Sequence, residues 1–127
     1  MDVTYTIRLT PVSKKNSMRI LTNRNTGKYF IAPSEQYKQY EAKAVWFLRP
    51  RPPKPIDYPV NVQMLFYMPT KRRVDLVNLE EAVLDIMVQA GILADDNSNI
   101  VASMDGSRVL YDKQRPRTEI TIHETGG

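Results

Sequence analysis

The sequence predicts a small single-domain α+β fold with two main helices that forms a close homodimer. Three observations lead there. Apolar and polar residues alternate with period two near both ends of the chain, from Val3 to Leu9 and from Thr118 to His123, as half-buried strands do. Between them, a helix pattern runs from Asp75 to Gly91. That helix carries two apolar stripes, more than one small sheet needs to cover, which points to burial against a second copy.

By length, residues 1–127 make one domain, enough for a modest core but not for two. Charged residues are 25% and apolar ones 42%, the balance of a folded protein rather than a disordered one. The chain has no Cys, which excludes disulfides, zinc–thiolate sites and cysteine nucleophiles. His123 is the single histidine and lies near the C-terminus, so a Ser-His-Asp triad is not expected. Any metal must be held by oxygen, which favours Mg²⁺ or Mn²⁺. Lys and Arg number 18 against 14 Asp and Glu, a mild excess of +4. What matters more is that the positive charge is clustered. No apolar run approaches the roughly 18 residues that span a bilayer. Thr4, Thr6 and Arg8 break any signal-peptide core, so a cytoplasmic protein without a membrane anchor is expected.

In order along the chain, the first strand ends at Pro11. Ser13, Lys14, Lys15, Asn16 and Ser17 then form a polar basic loop suited to phosphates. Ile20-Leu21 and Tyr29-Phe30-Ile31 flank an Asn-Thr-Gly signal and predict a β-ribbon with a basic tip. Ser34 caps a helix to about Leu48, with Tyr37, Tyr40, Ala44, Phe47 and Leu48 at helical spacing and Trp46 packed inside. Four prolines between Pro50 and Pro55 forbid regular structure. Val60 to Met68 alternates and then turns continuously apolar, as a central strand covered on both faces would. After the Asp75 helix, Asn99 to Met104 predicts a strand, and Arg108 to Tyr111 is expected to pair back on it through a turn at Asp105-Gly106-Ser107. Asp112 to Pro116 is a charged loop.

The chemistry concentrates between Val74 and Ile100. Asp75 is an N-cap by type and place. Glu80, Glu81 and Asp85 lie on the helix, Gly91 suits its C-cap, and Asp95-Asp96 follow in an exposed turn. If the next strand pairs beside Val60–Met68, the aspartate pair should approach Asp75. Converging carboxylates repel one another unless protonated or bound to a divalent cation. Such an ion can activate water against a phosphodiester. By itself an aspartate pair after a helix is a weak signal, and a solvated acidic turn is the simpler explanation of it. The run Lys71-Arg72-Arg73 sets positive charge beside this unit.

The elements in sequence are Met68-Pro69, Arg72-Arg73, Asp75-Leu76-Val77-Asn78-Leu79, Ala82-Val83-Leu84-Asp85, Ala90-Gly91 and Asp95-Asp96. In order and spacing they resemble the RusA-type crossover-junction endodeoxyribonucleases, closely from Phe66 to Ile100 and more weakly elsewhere. The resemblance implies a compact mixed sheet with helices, a dimer, and a Mg²⁺-dependent nuclease that cuts four-way (Holliday) DNA junctions in recombination and repair, often encoded by phages or prophages. It carries metal-binding acids onto Asp75 and Asp96, with Asp95 adjacent. Two positions depart from the pattern. The second aspartate of D-x-D-N is Val77, and a catalytically important lysine is replaced by Glu81. Glu81 lies one helical turn from Val77, on the same side. The expectation is therefore that Glu81 takes over as ligand and that Lys113 or Arg108 substitutes for the lysine.

An active junction nuclease would use Asp75, Glu81, Asp95 and Asp96 at the metal, with Lys14, Lys15, Asn16, Lys71, Arg72, Arg73, Arg108 and Lys113 on the DNA. Val77 keeps open a branched-DNA-binding protein of the same fold that does not cut. A structural module whose acidic turn is plain surface is the third reading.

Overall fold

The structure, a computed structural model, describes residues 2–13 and 18–125, leaving aside the side chains of 18, 19 and 30–33. Strand β1 spans Asp2–Ile7, β2 Met18–Thr22 and β3 Tyr29–Pro33. Helix α1 covers Glu35–Ala44 and tightens into a 3-10 turn at Val45–Phe47. Strand β4 spans Val60–Met68, helix α2 Leu76–Gln89, and strands β5, β6 and β7 cover Val101–Ser103, Arg108–Tyr111 and Arg117–Glu124. The expected mixed α+β architecture is present.

The main sheet runs β1-β7-β4, with β5 and β6 sharing the far side of β4. Strand β7 lies antiparallel to both neighbours, with Thr118 level with Ile7 on one side and Phe66 on the other. Strands β5 and β6 are both parallel to β4, at its beginning and its end respectively. The expected hairpin between β5 and β6 does not form; the two strands follow one edge in succession. The side chain of Asn61 explains this. Its Oδ1 accepts from Ser103 Oγ at 2.6 Å and from Asp105 N at 2.7 Å, which holds the connection against β4. Gly106, at φ +87°, then redirects the chain where an added Cβ would fall 2.5 Å from Gln63 Nε2.

The core lies on one face of the sheet. Val60, Val62, Met64, Phe66 and Met68 of β4, with Ile120 and Ile122 of β7 and Tyr5 and Ile7 of β1, are buried beneath the helices. The helices contribute Tyr37, Tyr40 and Ala44 from α1 and Leu79, Ala82, Val83, Ile86 and Met87 from α2. The other face of β4, Asn61, Gln63, Leu65 and Tyr67, is only half-buried, so the expectation of two covered faces is corrected. On that face the Tyr67 ring is covered by the Arg117 guanidinium from β7.

The predicted ribbon is present as the antiparallel pair β2–β3, closed by Asn23 N donating to Lys28 O, with Gly27 at positive φ. Ser34 caps α1 as expected, its Oγ accepting from Tyr37 N at 3.2 Å. Trp46 is not packed inside: it is 67% exposed, with the Arg49 guanidinium 4.6 Å from its ring centre. Trp46 stands two residues after Ala44, on the opposite side of a 3.6-residue period from Tyr37, Tyr40 and Ala44, so the helical phase itself points it outward.

Candidate functional site

Helix α2 begins where the sequence expects. Asp75 is the N-cap; its Oδ1 accepts from Val77 N at 3.1 Å and its Oδ2 from Asn78 Nδ2 at 3.3 Å. Both carboxylate oxygens therefore already face donors, at the helix end where backbone N–H groups favour an anion. A shallow hollow formed by Arg73, Val74, Asp75 and Leu76 opens beside it.

The aspartate pair lies elsewhere. Asp95 and Asp96 border a second hollow with Asp85, Val88 and Gln89, at the C-terminal end of the same helix. From Asp75 to Asp85 the helix axis rises about 15 Å. The expected approach of the pair to Asp75 thus does not occur within one copy, although β5 does pair beside β4 as that expectation required. The reason is where β5 pairs. Val101 is level with Val60, at the beginning of β4, whereas Asp75 follows its end. Ile56, just before β4, brackets the segment by donating to Ile92 O and accepting from Ala94 N.

Asp95 and Asp96 differ in proton affinity. Asp95 is held below the ordinary carboxylate range, chiefly because its Oδ1 accepts the Asp96 N–H at 2.7 Å. Asp96 is pushed up, first by desolvation and then by the neighbouring Asp95 carboxyl. Two adjacent carboxylates that cannot both ionise easily make a place where a cation or proton is favoured. Glu81 is exposed on α2, one turn beyond Val77, and sits about 9 Å further along the axis than Asp75. Among the described residues of one copy, no three metal-ligating side chains gather closely enough to hold an ion. A single copy therefore does not fit the divalent cation.

The basic candidates are mostly at the Asp75 end. Lys71, Arg72 and Arg73 are exposed, with the Lys71 ammonium 5.3 Å from the Tyr111 ring centre. Lys113 is exposed in the loop after β6, and Arg108 is exposed at the start of β6, level with Leu65. Lys14, Lys15 and Asn16 lie outside the described residues. The sequence reading missed Arg8, Arg115 and Arg117. They line a groove of about 950 Å³ with Thr6, Leu9, Thr10, Asp112, Gln114, Pro116 and Glu119. Only the sheet register brings these segments together, so nothing in their local sequence marked them.

A model for Endodeoxyribonuclease RusA matches residues 9–123. The chain belongs to the RusA endodeoxyribonuclease family. A similar protein is the Crossover junction endodeoxyribonuclease RusA of Aquifex aeolicus (strain VF5), 33% identical over 88 residues. That alignment covers 68% of this chain and 66% of the relative, so just under two thirds of the relative's length is matched. The family match takes in both acidic ends of α2 and the β6–β7 side of the basic groove of this RusA-family chain, while Thr6 and Arg8 precede it. No helix in the described residues is long and apolar enough to cross a membrane.

Proposed function

We propose that this RusA-family chain is an endonuclease that cuts four-way DNA junctions with a divalent cation, Mg²⁺ or Mn²⁺, as a homodimer whose copies complete each other's centres. The observation that carries this reading is the separation of Asp75 from Asp95 and Asp96 by the length of α2. Carboxylate oxygens around Mg²⁺ sit about 2.1 Å from the ion, so ligands at opposite helix ends cannot share one.

A two-fold arrangement supplies the remedy. Val77, Glu81, Leu84 and Val88 follow one another at helical spacing along α2; Val77 is 57% exposed and Val88 half-buried, while Leu84 between them already belongs to the core. A second α2 crossing this stripe antiparallel sets Val77 against Val88 of the other copy. The same register sets Asp75 level with the other copy's Asp95–Asp96 end. Charge supports that pairing, because Lys71, Arg72 and Arg73 at one end then meet Asp85, Asp95 and Asp96 at the other. An isologous contact repeats everything twice, giving two centres for two strands.

In this arrangement Asp75 of one copy and Asp95 and Asp96 of the other provide the oxygen ligands. Glu81, one turn beyond the position where Val77 offers no ligand, lies about 9 Å further along α2 than Asp75, so its place in the ligand set is what Glu81→Gln tests. The cation, when bound, lowers the pKa of a water and offsets charge developing on the phosphodiester. Lys71, Arg72 and Arg73 hold the backbone, with Arg108 and Lys113 further out.

The test is cleavage of a synthetic four-way junction with Mg²⁺ or Mn²⁺. Wild type should introduce paired nicks, and Asp75→Asn and Asp96→Asn should each lose more than about 100-fold. Glu81→Gln with full activity would remove that residue from the ligand set. Tight metal-free junction binding with no cleavage by wild type, unrescued by Val77→Asp, would instead establish a branched-DNA-binding protein.

A further inference from the structure

The groove between the β1 exit and the β6–β7 loop is built more rigidly than a surface loop needs. Asp112 organises the loop: its Oδ1 accepts from Gln114 N at 3.2 Å and Arg115 N at 3.1 Å, and its own N–H donates to Met68 O at 2.8 Å. Its Oδ2 accepts from Arg117 Nη1 at 2.9 Å. Arg117 also donates from Nε to Glu119 Oε2 at 2.8 Å and from Nη1 to Arg115 O at 2.9 Å. Both acids lining the groove, Asp112 and Glu119, thereby bond to the one Arg117 guanidinium.

That leaves Arg8 and Arg115 as the lining guanidinium groups with no acid bonded to them among the described residues, in a groove of three arginines against two acids. Both are exposed, one on each wall, with Thr6, Thr10 and Gln114 adding neutral donors between them. The register puts the groove at the Met68 end of the sheet, the same end as Lys71, Arg72, Arg73 and Asp75. Lys71 over Tyr111 links the two basic areas, since Tyr111 pairs with Met68 and immediately precedes Asp112. Paired acids, fixed walls and two free guanidinium groups form a receptor for an extended polyanion. Guanidinium suits phosphate because its donors can bind two oxygens at once.

We infer that this groove is a separate DNA-anchoring subsite, in which Arg8 and Arg115 take phosphodiester groups of a duplex arm leading away from the cleavage centre. The inference rests on the proposed action on branched DNA, and it assigns Arg8 and Arg115 positioning roles. They touch backbone phosphates remote from the reacting atoms.

Binding measured without metal separates this inference from the cleavage reading. Fluorescence anisotropy on a labelled four-way junction, taken across a salt series, should compare wild type, Arg8→Ala/Arg115→Ala and Arg8→Lys/Arg115→Lys. Each lost phosphate contact reduces the log–log salt slope by about 0.9, so the alanine pair should flatten it by about 1.8 per copy, or about 3.6 for a dimer that holds two arms. At about 0.1 M salt this weakens binding between about tenfold and a hundredfold for each copy engaged. The lysine pair should keep most of the slope, and cleavage by the alanine pair at saturating DNA should match wild type. An unchanged slope and affinity in the alanine pair would overturn the subsite. So would a cleavage defect at saturation with binding intact. A wild type that binds but never cuts would defeat the proposed activity and leave the subsite standing.

Discussion

The Arg117 guanidinium lies 3.8 Å from the centre of the Tyr67 ring, on the open face of the sheet. The two residues are direct cross-strand partners, so strand register fixes the contact. With Asp112 and Glu119 also bound, Arg117 is a structural hub even though its side chain is 22% exposed. Arg117→Ala should cost about 1–2 kcal/mol, discounting the ion pairs for solvent screening. Thermal unfolding should fall by about 5 °C, with Arg117→Lys recovering only part. An unchanged midpoint would show that the network contributes nothing.

The same hub sets a pH response. Arg117 first, then the N–H groups of Arg115 and Gln114, hold the Asp112 carboxyl below its ordinary range. A depressed folded value means that its contribution is fully present above the unfolded pKa of about 3.9. That contribution is lost as pH falls through the lower folded value. An NMR titration should place the Asp112 midpoint below that of a free aspartate, and Arg117→Ala should move it upward. A midpoint at the ordinary value in wild type would contradict the loop geometry.

Mixing two inactive variants tests the shared centre. In a heterodimer of Asp75→Asn with Asp96→Asn, one centre collects both substitutions and the other collects none. Random exchange should restore about a quarter of wild-type nicking, because half the dimers are mixed and each has one good centre. Centres contained within a single copy predict no recovery. Verified heterodimers that remain inactive would therefore rule out sharing across the two-fold.

Val77 gives an independent probe of the interface. Its side chain is largely solvent-exposed in one copy, so Val77→Ser should leave folding almost untouched. Burying it twice in a symmetric contact is worth about 2 kcal/mol, so the dimer should dissociate about thirtyfold more readily. Sedimentation equilibrium reads this directly, and an unaltered association constant would place the interface elsewhere.

Much of this was legible in the chain. Alternation located β4 and β7, three-and-four spacing located α2, and short polar residues marked both caps at Ser34 and Asp75. Periodicity assigns faces, however, and does not say which end of a strand a later segment joins. The distance between Asp75 and Asp95 was hidden for that reason. The parallel placement of β6 depends on one side chain, Asn61, reaching 44 residues ahead to Asp105. Trp46 was misassigned because its size was weighed above its phase: two residues after Ala44, it falls opposite the face of Tyr37, Tyr40 and Ala44. The groove of Arg8 and Arg115 depends entirely on sheet register.

Gly106 closes the β5–β6 connection at positive φ. Gly106→Ala should cost about 1 kcal/mol or more from backbone strain. Gln63→Ala would clear the side chain that an added Cβ meets but leave that strain, so the double variant should recover only part of the loss. Full recovery would mean that crowding, not conformation, was the cost.

Strand β7 is late in the chain yet stands between β1 and β4. Until Arg117–Glu124 has been synthesised, β1 has no partner and β4 exposes one edge along its length. Assembly on the ribosome therefore cannot finish piecemeal: the sheet must wait for its middle strand. An unpaired, apolar β4 is the most aggregation-prone intermediate this chain passes through. Truncations before β7 should accumulate as insoluble material rather than as smaller folded domains.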